Sequence, residues 1–153
     1  MSRTDLWKAL ALVPTLAVAD VGAAIAWLTR VFGFRERAEA RLSWPGGGRA
    51  WVELGDALVT LASAGGHGRV SPRAAGARSV ALKVYVADVD AHFRNARAAG
   101  ATILSEPEDG FWGGRIYRAQ DLDGHHWEFS ERDRELASSL WRLPPGVTIG
   151  PAE

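Results

Sequence analysis

The residues best placed to do chemistry lie near the end of the chain. His126 and Glu128 stand two apart in a segment that alternates polar and apolar residues. On a strand they share one face, while His125, Trp127 and Phe129 share the other. An imidazole that titrates near neutral pH beside a carboxylate is the material of a general acid/base couple. The alternative is a hydrogen-bonded pair at the rim of a sheet. That reading is preferred, because an isolated pair lacks a third group to orient it. Of the other two histidines, His67 sits in a Gly-rich stretch and His92 in a helical pattern. There is no cysteine, which removes disulfides, zinc thiolates, iron–sulfur ligation and thiol nucleophiles. The runs Gly46-Gly47-Gly48 and Gly65-Gly66-His67-Gly68 lack the Lys-Ser/Thr and the following helix of a phosphate loop. No serine sits in a nucleophile elbow.

The elements that must carry these residues belong to a chain of 153 residues, long enough for one domain with a full core. The hydrophobic fraction is 47% and the charged fraction 24%, ordinary values for a soluble globular protein. Eighteen basic and eighteen acidic residues balance, and no basic stripe is interleaved with aromatics, so neither nucleic acid nor an anionic membrane is an expected partner. The apolar stretch from Leu10 to Leu28 is interrupted by Pro14 and Asp20 and makes a poor membrane span. With no secretory pattern at the start, the cytoplasm is the expected compartment. Seven tryptophans are many for this length; some belong in the core, and amphipathic aromatics also suit ligand pockets and interfaces.

The sequence repeats. Leu16-Ala17-Val18-Ala19-Asp20-Val21 resembles Val84-Tyr85-Val86-Ala87-Asp88-Val89, with the two aspartates 68 positions apart. Each is an apolar strand ending in an Asp suited to cap a helix. The first helix is expected over Val21–Phe32 with Gly33 as its stop, the second over Val89–Ala99 with Gly100. Strands are expected at Arg35–Trp44, Arg49–Leu54 and Ala57–Ala62, then at Thr102–Leu104, Arg115–Gln120 and His125–Ser130. The turns Gly55-Asp56 and Asp123-Gly124 keep the same offset of 68. The expected organisation is a single domain: module one about 8–63, a linker or mobile loop about 64–78, module two about 79–131, and a tail 132–153. A helical stretch from Glu131 to Trp141 opens the tail, which either folds back with Leu140 and Trp141 as anchors or frays into solvent.

Two β-α-β-β-β units in tandem resemble the vicinal-oxygen-chelate superfamily of glyoxalase I, bleomycin-resistance proteins and extradiol dioxygenases. The likeness is carried by Pro14–Asp20 with Val31-Phe32-Gly33-Phe34, by Val86–Ala91 with Ala98-Ala99-Gly100-Ala101, and by Phe111–Arg115 with Asp121–Phe129. It spans roughly Leu10 to Glu131, and the metal-site-degenerate bleomycin-resistance-like branch is the nearest match. It implies an α+β fold in which two βαβββ modules form an open, barrel-like mixed sheet around a cavity, with helices outside. It also implies a homodimer.

The resemblance further implies four positions where the family's enzymes hold a divalent metal. They fall on Val13, Thr60, Ala81 and Glu128, and only the last carries a strongly ligating side chain. No metal or other cofactor is therefore expected. Around that site the inward residues are Thr15, Ala17, Leu58, Ala62, Lys83 and Tyr85, with Trp51 and Tyr117 from the middle strands and Trp112 from the loop before a strand. Lys83 facing Glu128 suggests an internal ion pair. The resulting ligand set is Trp51, Thr60, Lys83, Tyr85, Trp112, Tyr117 and Glu128, a mixed surface suited to a small aromatic or amphipathic molecule. Three functions follow from this. The first is metal-independent sequestration of a drug or metabolite. The second is a lyase, isomerase or dioxygenase-type enzyme working through Glu128 and His126. The third is a regulatory module that makes contact through its tail. Trp27 and Trp127 are expected in the core.

Overall fold

Two aspartates and two glycines set the rhythm of the chain. In the computed structural model, which describes residues 12–151, Asp20 Oδ1 accepts the Ala23 N–H at 2.8 Å and Asp88 Oδ1 accepts the Ala91 N–H at 2.9 Å. Each carboxylate satisfies an orphan donor of a first helical turn. Module one runs β1 (Thr15–Val18), α1 (Val21–Phe32), β2 (Arg35–Glu36), β3 (Leu42–Trp44), β4 (Gly47–Leu54) and β5 (Ala57–Ser63). A short helix α2 (Pro72–Ala75) lies in the connection. Module two runs β6 (Ala81–Tyr85), α3 (Val89–Ala98), β7 (Thr102–Asp109), β8 (Arg115–Gln120) and β9 (His126–Ser130). Gly33 closes α1 at φ 80°, a conformation that a side chain resists. The cap of α3 is Ala99, one residue earlier than its glycine.

Each module builds one mixed sheet, ordered β1-β5-β4-β2 with β3 also on β4, and β6-β9-β8-β7. The first and last strands of each module pair in parallel, and the remaining pairs are antiparallel. Thr15 lies opposite Thr60 and Lys83 opposite Glu128, so the offset of 68 holds in three dimensions. The fold is α+β, two βαβββ modules with open sheets. Among the described residues no helix is long and apolar enough to cross a membrane.

One core serves both modules. Leu16, Val18, Val52, Val59 and Leu61 of the first sheet and Val84, Tyr117, Ala119, Trp127 and Phe129 of the second join the buried faces of α1 and α3. Phe32, at the end of α1, stands edge-on to Phe129 at 4.8 Å and to Trp127 at 5.8 Å between ring centroids. Trp127 is fully buried and Trp27 packs against the same cluster, as expected. Polar bonds between described residues also cross the module boundary. His125 Nε2 donates to the Ala17 carbonyl at 2.8 Å, the Ala19 N–H donates to Asp123 Oδ1 at 2.8 Å, and His92 Nε2 donates to the Phe32 carbonyl at 2.8 Å.

Four segments differ from expectation, each for a local reason. The strand expected over Arg35–Trp44 breaks into β2, a 3-10 turn at Ala38–Ala40 and β3. There the Arg37 guanidinium turns inward to Glu53 at 2.9 Å. The strand expected to stop at Leu104 continues to Asp109 through two register irregularities. It lies at the sheet's edge, where Pro107 removes no needed ladder bond. The linker is docked: Ser71 caps α2, and the Arg73 N–H donates to the Asp123 carbonyl at 3.0 Å. The tail holds two 3-10 turns, Arg132–Arg134 and Ser138–Leu140, in place of one helix. Trp141 anchors it edge-on against Phe111 at 5.7 Å between ring centroids, its indole N–H donating within the tail to the Leu136 carbonyl at 2.9 Å, whereas Leu140 is exposed.

Candidate functional site

Strand parity divides the chemistry-bearing side chains between the shared core and the two sheet faces turned away from it. On the first sheet Thr60 lies opposite both Thr15 and Trp51, with Leu58 and Ala62 on the same face. Thr60 is buried and Trp51 half-buried, with the Arg49 guanidinium 5.7 Å from the centre of its ring. On the second sheet Ala81, Lys83 and Tyr85 lie beside His126, Glu128 and Ser130. The expected ligand residues Lys83, Tyr85 and Glu128 therefore share one face, and Trp51 and Thr60 share the other.

Tyr117 does not line this surface. It pairs with Phe129 in the ladder, is fully buried, and its hydroxyl donates to His92 Nδ1 at 2.5 Å. Burial raises its pKa above the usual phenol range. The position that faces outward beside Glu128 is Arg118. The cause is a turn. The hairpin in module one leaves Gly55-Asp56 unpaired, whereas the one in module two leaves the five residues 121–125. An odd difference in turn length reverses the parity of the preceding strand. The alternation itself carried the signal, since Arg118 and Gln120 are polar while Tyr117 and Ala119 are not.

The His126–Glu128 couple is dispersed. His126 lies 3.2 Å from Gln120 Oε1, while Glu128 accepts from Arg118 Nε at 3.2 Å. Burial, assisted by the Arg78 charge, lowers the His126 pKa, which favours a neutral ring. Lys83 does not bond to Glu128 either, although the two are register partners. Its ammonium donates to Glu135 of the tail at 2.8 Å. Partial burial opposes the charge on Lys83, but Glu135 and Tyr85 together outweigh it and raise the lysine pKa. The same bond holds the Glu135 carboxyl below its ordinary range.

Around Lys83 the surface is aromatic. Its Nζ stands 5.1 Å from the centre of the Tyr85 ring and 5.8 Å from that of Trp112. Arg132 covers Tyr85 at 4.4 Å. Trp112 lies across Gly110 and Gly114, where a β-carbon would come within 2.3 Å and 2.2 Å of its indole. Only glycine admits the ring there. The tail crosses beside this loop: the Leu136 N–H donates to the Trp112 carbonyl at 2.8 Å, and the Arg142 N–H to the Phe111 carbonyl at 3.1 Å. A cavity of about 610 Å³ opens between Asp56-Ala57, the strand end Lys83–Ala87 and the turn Glu131–Arg134. A second, of about 470 Å³, lies between Pro14–Ala17, the linker and His125. Neither is lined by Trp51, Thr60 or Glu128. Arg118, Arg132 and Glu135 were not singled out in the sequence; the last two lie in a tail with no repeat or motif to mark them.

The chain belongs to the Glyoxalase/Bleomycin resistance protein/Dioxygenase superfamily, whose family model matches residues 11–129. The uncharacterized protein Mb0911c of Mycobacterium bovis is 33% identical over 133 residues, covering 82% of this chain and 86% of that one. The crystal structure of TioX from Micromonospora sp. ML1 is 38% identical, with a TM-score of 0.64 over 80% of this chain and 95% of its own. A glyoxalase I variant from Zea mays, at 22% identity and a TM-score of 0.63 over 79% of this chain and 44% of its own, shares the fold.

The divalent metal that this family implies does not fit the donors present. Val13 and Ala81 offer no ligand, Thr60 offers a neutral hydroxyl, and the Glu128 carboxylate is engaged by Arg118. Among the described residues no group of three or more His, Asp or Glu side chains is placed to hold an ion.

Proposed function

We propose that the protein binds a small aromatic or amphipathic molecule in the cytoplasm without a metal, sequestering a drug or metabolite. What supports this reading is that the positions where the resemblance places the family's ligands carry Val13, Thr60 and Ala81, with Glu128 held by a guanidinium. In place of a coordination site, the face of module two offers Tyr85 and Trp112 around the Lys83 ammonium. Aromatic planes around one cation suit a flat ligand with a polar handle.

The working form in this proposal is a homodimer. The faces bearing Trp51-Thr60 and Lys83-Glu128 both turn away from the shared core, so one copy cannot enclose a ligand between them. A second copy, set face to face, supplies the missing wall.

Native mass spectrometry on gently purified protein, before and after exposure to divalent metals, tests both points. The expected species is a metal-free dimer, and tryptophan quenching by an aromatic ligand should be indifferent to chelator. A stoichiometric metal that is lost in Glu128→Ala would overturn the reading and favour a metal-dependent enzyme.

A further inference from the structure

The Lys83 ammonium sits between two aromatic rings, yet its charge is already answered from within the chain. Glu135 reaches over from the tail and accepts its hydrogen bond at 2.8 Å. The neighbouring Tyr85 hydroxyl helps Lys83 to hold that carboxyl below its ordinary range. Around this contact the surface is prepared for more than a carboxylate. The Trp112 indole N–H is buried and has no hydrogen-bond partner, an arrangement that costs free energy unless something fills it. On the same face the Ser130 hydroxyl is fully buried and also without a partner.

The strap that delivers Glu135 lies at the surface. Glu135 itself is only partly buried and Leu136 is exposed. It is held by the Leu136 N–H to Trp112 carbonyl bond, the Arg142 N–H to Phe111 carbonyl bond, the Arg134–Asp109 ion pair and the packing of Leu136 on Gly113, most of them at exposed residues. Segments with few buried contacts open at low cost. A cavity of about 610 Å³ adjoins Lys83 and Tyr85 under the turn Glu131–Arg134, a volume suited to a small organic molecule.

We infer that Glu135 is an internal stand-in for the anionic group of the ligand, which is an aromatic carboxylate. Such a ligand places its carboxylate on Lys83 and Tyr85, lays its ring against Tyr85 and Trp112, and expels Glu135, so that the strap lifts as the site fills. The inference rests on the binding function proposed above and adds to it the ligand's charge and a competitor built into the chain. The aromatic planes account for the ring, the ammonium for the anion, and the Glu135 contact for the geometry in which a carboxylate is received. Competition for a site is competition between free energies. Removing the internal carboxylate therefore tightens acids and leaves neutral analogues where they were.

The test uses the full chain and two probes of one shape, 2-naphthoate and the neutral 2-naphthamide, followed by tryptophan fluorescence. In Glu135→Gln, 2-naphthoate should bind about tenfold more tightly than in the unaltered protein, the scale of losing one charge-assisted competitor. Naphthamide should be unchanged. In Lys83→Met/Glu135→Gln the gain for naphthoate should vanish. Naphthoate should also speed hydrogen exchange at the Leu136 amide, which a merely structural role for Glu135 would not predict. If both probes bind and Glu135→Gln alters neither, the inference is overturned and the binding function stands. If neither probe binds to any form, both are overturned.

Discussion

Replacing Tyr117 by Phe separates a core tyrosine from a pocket tyrosine. The phenol is fully buried between Phe93, His92 and Phe129, with Phe129 stacked at 5.2 Å. Its hydroxyl meets His92 Nδ1 at 2.5 Å, while His92 Nε2 is committed to the Phe32 carbonyl at 2.8 Å. That second bond fixes the tautomer: Nε2 carries the proton, and Nδ1 presents a lone pair. Phenylalanine keeps the ring packing and removes the only donor described for that lone pair. A buried acceptor stripped of its partner costs about 1–3 kcal/mol. For a chain of this size about 2 kcal/mol lowers the melting temperature by roughly 4–8 °C. The assay is thermal unfolding of both proteins by circular dichroism, paired with ligand titration by tryptophan fluorescence. Tyr117→Phe should melt lower and bind equally well. An unchanged midpoint with weakened binding would refute the argument, because it would put the hydroxyl on the ligand face.

Acid should loosen the packing between modules: burial lowers the folded-state pKa of His92, against the backbone bond to Phe32. Its unfolded value is about 6.5, so the folded protein binds fewer protons, and the stability present above that pH is lost as pH falls through the lowered folded value. Chemical denaturation between neutral and mildly acid pH should reveal this loss, and His92→Gln should flatten it. Gly113→Ala should detach the strap, because Gly113 sits at φ 84° and a β-carbon would lie 2.5 Å from Leu136 Cγ and 2.7 Å from the Arg134 carbonyl. Faster proteolysis of the tail, with the core melting little changed, is the expected readout. Trp127→Ala should cost about 3–5 kcal/mol, since it empties the centre of the core and strands Asp121 Oδ2, which accepts the indole N–H at 2.9 Å. Urea titration measures it, and a cost near that of a surface substitution would contradict the shared core.

The repeat was legible because it is local. An apolar strand, a capping Asp, a 3.6-period helix and a closing Gly each act within a few residues, and Val21–Phe32 was read to the residue. The parallel pairings Thr15–Thr60 and Lys83–Glu128 preserve the offset visible in the sequence. The middle strand of module two was misplaced by one position because parity depends on turn length, and residues 121–125 close a longer turn in which the Asp121 carboxylate accepts the Asp123 and His125 N–H groups. Arg37 likewise breaks a strand because it finds Glu53 across the sheet.

The module order and the capped helices were readable along the chain alone, since these are matters of residue type and short-range spacing. Which partner each charge takes was settled by the folded chain. Lys83 faces Glu128 in the ladder but bonds to Glu135, and Glu128 turns to Arg118. Both choices depend on where a tail 52 residues distant comes to rest and on which face a strand presents. Charges pair by distance in space, and no periodicity along the chain encodes that distance.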